Sequence, residues 1–365
     1  MSRFVRLCET ASPTGSEAEV GALVTSELEA LGLTVVEDDA AASAGAGCGN
    51  LHCLVEGERD EWVGFCAHLD TVPHEGPIEV VLDGEGVYRS AGETILGADN
   101  KAAVAVLVEL VAGMAETPPP VGIELLFTVA EETGLNGALA FDRSRLRSDR
   151  LFVLDLADEI GQVVTRSPFY HRLEAEITGA EAHAGLAPEK GRSAIVVAAR
   201  AVAAMELGRI DPETTANIGL IEGGTAANVV PGRCRIVGEA RSTDGERATE
   251  VISGMARTIA GVASEAGCEV ELETSMLHRG YEVPDDSPAL ALAEAALAEC
   301  GFRPERVVTG GGSDANVFRA EGVDALLLAN GTFANHTHDE NVPRENLQSM
   351  LEVCQTIVRT AGAEC

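Results

Sequence analysis

Five residues able to bind a metal stand beside apolar runs. His68 follows Trp62–Ala67, Glu132 follows Ile123–Ala130, and Asp155 follows Leu151–Leu154. His336 comes shortly after Leu326–Gly331, and Asp99 opens a helical stretch beginning near Asn100. An ionisable group at the end of a buried strand faces desolvation, and a metal ion is a common way to offset that cost. Two imidazoles and three carboxylates suit zinc, with one carboxylate shared between two ions. Ions about 3.5–4 Å apart can polarise a carbonyl and activate water for attack on it. Asp70, two residues after His68, could accept that imidazole's proton and set its tautomer. The pair Glu131-Glu132 offers one carboxylate to a metal and another as general base. Each signal alone has a plainer reading: Asp99 as a helix cap, Glu131-Glu132 as a solvated turn, the histidines as loop residues. Asp158 competes with Asp155, and His338 with His336. It is their joint occurrence at successive strand ends that points to a two-metal hydrolytic site.

The elements that must position these residues show in the apolar pattern. Trp62–Ala67, Ile123–Val129, Leu151–Leu154 and Ala325–Ala329 read as buried strands. They alternate with helical stretches at Ala102–Met114, Ser287–Cys300 and Glu345–Ala361, and an earlier helix spans 17–32, ending at Gly32. Strand–helix alternation predicts an α/β fold with a mixed, largely parallel sheet flanked by helices. Ligands then gather past the carboxyl ends of its strands.

Residues 168–277 follow another pattern. Tyr170–Thr178, Asn217–Glu222, Arg233–Arg241 and Cys268–Met276 read as strands, with helices at Arg192–Leu207 and Arg247–Ala266. The order β-α-β-β-α-β is ferredoxin-like. We therefore expect a catalytic domain in two parts, 1–167 and 278–365, interrupted by an inserted domain at 168–277. Ala40–Gly49, rich in alanine and glycine, reads as a flexible loop.

Composition narrows the function. The chain has 365 residues and a formal charge of −33, from 26 basic and 59 acidic residues, which argues against a nucleic-acid partner. Lys101 and Lys190 are the only lysines. Nine cysteines without a C-x-x-C pair read as reduced thiols, and Cys48, His52 and Cys53 lack the partner pair a zinc knuckle needs. No apolar run reaches the roughly 18 residues of a membrane span, and the opening residues lack a signal-peptide core. The expected location is the cytoplasm, away from membranes. Gly310-Gly-Gly312 before Ser313-Asp314 lacks dinucleotide-binding spacing and reads as a tight turn lining the active site.

At these residues the chain resembles the aminoacylase/carboxypeptidase family of di-zinc metallopeptidases, most closely its peptidase T-like branch. The segments carrying the likeness are His68-Leu-Asp-Thr-Val-Pro73, Leu96-Gly-Ala-Asp-Asn-Lys-Ala102 and Phe127-Thr-Val-Ala-Glu-Glu-Thr-Gly134. Ala182-His-Ala-Gly185, Gly223-Gly-Thr-Ala-Ala-Asn-Val-Val-Pro231 and His336-Thr-His-Asp-Glu340 continue it in order. The resemblance implies two zinc ions per subunit, with His68 and Asp155 on one, Glu132 and His336 on the other, and Asp99 bridging. Cobalt and manganese accept the same donors. It also implies Glu131 as general base, Asp70 as the partner of His68, and His183 as the histidine that steadies the oxyanion across a homodimer formed by the inserted domain. Asn228 and Arg241 fall where the family binds substrate. His336 is preferred over His338 because it stands four residues before Glu340, as in the family pattern. One departure is the run Leu154-Asp-Leu-Ala-Asp158, where the branch places a small residue after the ligand aspartate; it bears on substrate preference.

The expected activity is amide hydrolysis in small peptides, as a di- or tripeptide aminopeptidase. The same site on another amide would make an N-acyl amino acid deacylase or a carboxypeptidase. A catalytically inactive binding homologue is the third reading, and it is weakened because every ligand and the base are present.

Overall fold

The computed structural model describes residues 2–114 and 117–363. The chain divides into two compact units. The first takes the chain up to Thr165, Glu282–Val308 and the chain from Ser313 onward; the second takes Arg166–Tyr281 and Thr309–Gly312.

The first unit is built on a mixed sheet. Its strands run in the order Val35–Glu37, Leu51–Val55, Gly122–Thr128, Trp62–His68, Arg150–Leu156, Asp324–Ala329 and Gln162–Ser167. The four central strands, Gly122–Thr128 through Asp324–Ala329, are parallel to one another. Antiparallel pairs flank them on both sides. Every residue of Trp62–His68 and of Gly122–Thr128 is buried, which is why both read as largely apolar runs, the second broken only by Glu124, which pairs with His52 and Ser148. The helix Ala98–Ala112 is buried around almost its whole circumference and contacts Trp62–His68, the helix Arg344–Ala361 and the helix Ser2–Glu9. It begins earlier than the apolar stripe suggested, at Ala98, with non-helical dihedrals at Asp99 and Asn100 and a cis peptide bond between them.

The expected loop at Ala40–Gly49 is instead ordered by hydrogen bonds. Ala41–Ala44 forms a short helix, and the Gly47 and Gly49 amides donate to Glu17 and Glu37 at 2.6 and 2.8 Å. The acceptors are carboxylates 30 and 12 residues earlier, outside the loop, so its own composition could not reveal them.

The second unit is an antiparallel sheet in the order Gly208–Asp211, Thr214–Gly223, Arg233–Ser242, Phe169–Thr178, Glu269–His278. The helices Ala194–Ala203 and Gly245–Glu265 pack on it around Leu173, Ile177, Val197, Ile236, Ile252 and Ile259. Strand Gly208–Asp211 was not anticipated; the helix expected to reach Leu207 stops at Ala203, and Gly208 turns the chain with φ 84°. Residues 309–312 join this unit, with the Thr309 amide donating to the Arg166 carbonyl at 3.0 Å.

A candidate metal centre

The parallel strands deliver their ends to one place. His68 is the last residue of its strand and pairs in register with Thr128, the last residue of the neighbouring strand. Two residues beyond Thr128 the chain turns through Ala130, held at φ 49°, to present Glu131 and Glu132. Asp70 secures that turn. Its carboxylate accepts from the Glu131 amide at 2.9 Å, the Glu132 amide at 3.2 Å and the Thr14 hydroxyl at 2.7 Å. The ring of His68, through Nδ1, lies 3.0 Å from the Asp70 backbone carbonyl and 3.6 Å from its carboxylate. The backbone oxygen is therefore the nearer partner of His68, while the side chain organises the acidic turn.

Asp99 lies between two imidazoles. Its Oδ1 is 3.2 Å from His68 Nε2, and its Oδ2 is 3.1 Å from His336 Nε2. Asp155 Oδ1 is 3.3 Å from the same His68 nitrogen, and Glu132 Oε1 is 3.0 Å from that of His336. Asn100 donates at 3.2 Å to that same Asp155 oxygen. His336 itself sits at φ 65°, a left-handed backbone that costs a non-glycine residue on the order of 1 kcal/mol and is retained where surroundings enforce it. The competing residues point elsewhere: Asp158 accepts from the Glu159 amide, and His338 is exposed beside Asp339 at 3.7 Å.

Two sets of ligand atoms lie within 4.8 Å of one another: His68, Glu131 and Asp155, and His68, Asp99 and Glu132. No other set of this kind occurs among the described residues; His52, near the cysteines, bonds Glu124 at 2.7 Å instead.

The electrostatics are those of crowded, buried carboxylates. Burial pushes Glu131 well above the usual carboxylate range, and the charge of Asp155 pushes it further. Burial also lifts Asp155, to about 7, although His68 works against it. Burial opposes ionisation of Asp99 too, but hydrogen bonds from His336 and His68 outweigh it and hold Asp99 well below its ordinary value. His336 rises to about 10 through its contacts with Asp99 and Glu132. For His68, burial favours the neutral ring, yet Asp155, Asp70 and Asp99 together raise it.

This donor set fits a pair of divalent cations. Three carboxylates, those of Asp99, Glu132 and Asp155, converge on two imidazole nitrogens whose lone pairs suit metal ions as well as protons do. Glu132 Oε1 is buried and, despite its closeness to His336, accepts no hydrogen bond. A buried carboxylate oxygen left in that state is what a cation would satisfy.

The substrate residues named from the sequence belong to the second unit. His183 and Asn228 share a small ribbon in which His183 pairs with Val229, and the Ala184 amide donates to the Asn228 carbonyl at 2.9 Å. Both side chains are exposed. Arg241 lies over the Tyr170 ring at 4.1 Å and grips Glu239 with Nε and Nη2 at 3.1 and 3.2 Å. Its Nη1 donates to the Gly310 carbonyl at 3.3 Å.

Asp314 was missed by sequence reasoning. Fully buried, it accepts from Thr128 at 2.5 Å, while its Oδ1 has no partner. Burial raises it to about 6, and the charges of His68 and Asp70 act on it. Its only sequence signal was its place after the glycine run.

The parallel strands of this mixed sheet thus gather two histidines and several carboxylates, an arrangement able to hold metal ions. Residues 64–360 match the model of peptidase family M20/M25/M40, and the chain belongs to that family, in its peptidase T-like branch. The protein is thus a metallopeptidase, a hydrolase. It is 36% identical to the uncharacterized protein YqjE of Bacillus subtilis, covering 99% of this chain and 98% of that one. Among solved structures it resembles an aminopeptidase PepT from Bacillus cereus (38% identity, 98% and 96% coverage, TM-score 0.86). It also resembles a tripeptidase from Staphylococcus aureus (31% identity, 100% and 98% coverage, TM-score 0.93).

Proposed function

We propose that this chain is an aminopeptidase of di- and tripeptides, with His68, Asp99, Glu132, Asp155 and His336 holding two zinc ions. The observation that carries the reading is Asp99, whose two oxygens address two different imidazoles at 3.2 and 3.1 Å. A bridging carboxylate needs that disposition. When bound, the ions supply Lewis acidity toward the scissile carbonyl and lower the pKa of water. Glu131, buried beside His68 and Asp155, takes the proton of the attacking water and returns it to the leaving amine. Asp70 holds Glu131 and Glu132 in place through their amides.

His183 is assigned, by the family resemblance, to steadying the oxyanion of a neighbouring subunit's substrate, with Asn228 and Arg241 binding the substrate's polar groups. That assignment entails a homodimer through the second unit. The reading includes a cytoplasmic location; among the described residues no helix is long and apolar enough to cross a membrane.

The test is cleavage by metal-reconstituted protein of Ala-Ala-Ala, an N-acetyl amino acid and an N-blocked peptide with a free C-terminus. Preference for the tripeptide, with release of its first residue, supports the aminopeptidase. Faster turnover of the acetylated amino acid makes the protein a deacylase, and C-terminal release from the blocked peptide makes it a carboxypeptidase.

A further inference from the structure

Glu340 touches no reacting group in the proposed chemistry, yet it is 1% exposed and spends its carboxylate entirely on the segment carrying Asp99. Its Oε2 accepts from the amides of Leu96 and Gly97, each at 2.7 Å, and its Oε1 accepts from the Asp99 amide at 2.9 Å. These amides need an outside acceptor. They precede or open the helix Ala98–Ala112, where first-turn N–H groups lack intrahelical partners, and Asp99 departs from helical dihedrals at φ −81°, ψ 106°. Glu340 is also tied to His336. The loop bearing His336 is closed at its base by reciprocal backbone bonds between Phe333 and Asn341 at 2.9 and 3.0 Å, and the Glu340 amide donates to the Thr337 carbonyl at 3.2 Å. One side chain therefore links the loop of one imidazole to the backbone of the carboxylate it meets. Burying the Glu340 charge is costly unless it is paired. Lys101, itself fully buried and donating to the Thr10 carbonyl at 2.6 Å, lies near enough for its charge to act on Glu340.

We propose that Glu340 is a positioning residue for the metal centre: it sets Asp99 against His336 so that both Asp99 oxygens can be used at once. The inference rests on the metal-centre reading above and adds the residue that makes the bridge geometrically available. The two oxygens of Glu340 divide the work, which gives a discriminating variant. In Glu340→Gln the remaining oxygen keeps the Leu96 and Gly97 amides, while the new NH2 faces the Asp99 amide donor to donor. The strut to Asp99 is lost and the rest of the anchor stays.

Zinc affinity of wild type and variant is measured by competition with a chromophoric chelator, alongside thermal unfolding of both apoproteins. The expected result is a 10–100-fold loss of zinc affinity in Glu340→Gln, the range typical when a partner of a metal ligand is removed. Apo unfolding should stay within a few degrees of wild type, and tripeptide turnover should return as zinc is raised to saturation. Zinc affinity within twofold of wild type overturns the proposal, as does a loss that only parallels collapse of the apoprotein. If Glu340→Gln does not fold, Glu340→Asp, which keeps the charge one methylene short of the three amides, is measured in its place with the same criteria. A wild-type protein that takes up no zinc defeats the metal-centre reading itself, and this proposal with it; equal uptake by wild type and variant defeats only the role of Glu340.

Discussion

At the residue scale, the two acidic residues of the turn after Gly122–Thr128 have distinct surroundings. Glu132 faces His336, while burial and the charge of Asp155 hold Glu131 above its ordinary range, as suits a proton carrier. Glu131→Gln should lower kcat by about 10²–10⁴-fold with zinc content unchanged at two per chain, read by steady-state kinetics and elemental analysis. Activity within tenfold of wild type would remove Glu131 from the proton-transfer role. His278 in the second unit, not itself a candidate ligand, gives a pH prediction. Burial, with a smaller contribution from Arg241, pushes its pKa down to about 4 against an ordinary 6.5. Between those values the unfolded chain binds a proton that the folded chain refuses. Stability is therefore full above about 6.5 and declines as pH falls toward 4, by on the order of 3 kcal/mol. Urea unfolding of wild type and His278→Gln at pH 7 and pH 4.5 checks this: the variant should show the shallower decline.

At the element scale, the strand-to-helix turn that presents Glu131 and Glu132 is fastened from several sides. Buried Asn50 donates to the Gly137 carbonyl at 2.9 Å and accepts from the Val129 amide at 3.1 Å. The Gly137 amide donates to the Val129 carbonyl at 3.0 Å. A methyl group at position 137 would stand 2.1 Å from the Val129 carbonyl and 2.7 Å from the Asn50 side chain. The carbonyl is backbone and the Asn50 side chain is pinned by its own hydrogen bonds, so neither can yield cheaply. Gly137→Ala should therefore cost more than about 2 kcal/mol and lower kcat by displacing the turn, whereas Gly84→Ala, with nothing within 4 Å, should do neither. Equal stability of the two variants, measured by denaturant unfolding, would show that the turn relaxes freely.

At the scale of the whole molecule, the proposed metal centre would link metal binding to the fold. The candidate ligands come from residues 68, 99, 132, 155 and 336, so cations held among them tie distant stretches of the first unit together. Ions present at 100 times their dissociation constant stabilise a folded chain by about 2.7 kcal/mol per site. Removing them with a chelator should lower the thermal midpoint, and restoring zinc should recover it. Asp99→Ala, lacking the shared carboxylate, should be insensitive to both treatments. A midpoint in wild type that ignores chelator would break the link.

Much of this was written locally. Buried parallel strands announce themselves as apolar runs, and the ligand-type residues at their ends needed no coordinates to be picked out. The strand Glu269–His278 was legible in the same way, because alternation such as Glu269-Val-Glu-Leu-Glu273 marks a strand with one wet face. Contacts between remote segments were decided only by the tertiary structure. That the two oxygens of Asp99 divide between His68 and His336 depends on residues 31 and 237 positions away. The use of the Asp70 carbonyl by His68, the anchoring of Asp99 by Glu340, the buried Asp314 and the ordering of 41–44 have no periodic signature. Periodicity reports how a segment meets solvent; a hydrogen bond is set by distances and directions that exist only once the segments have packed.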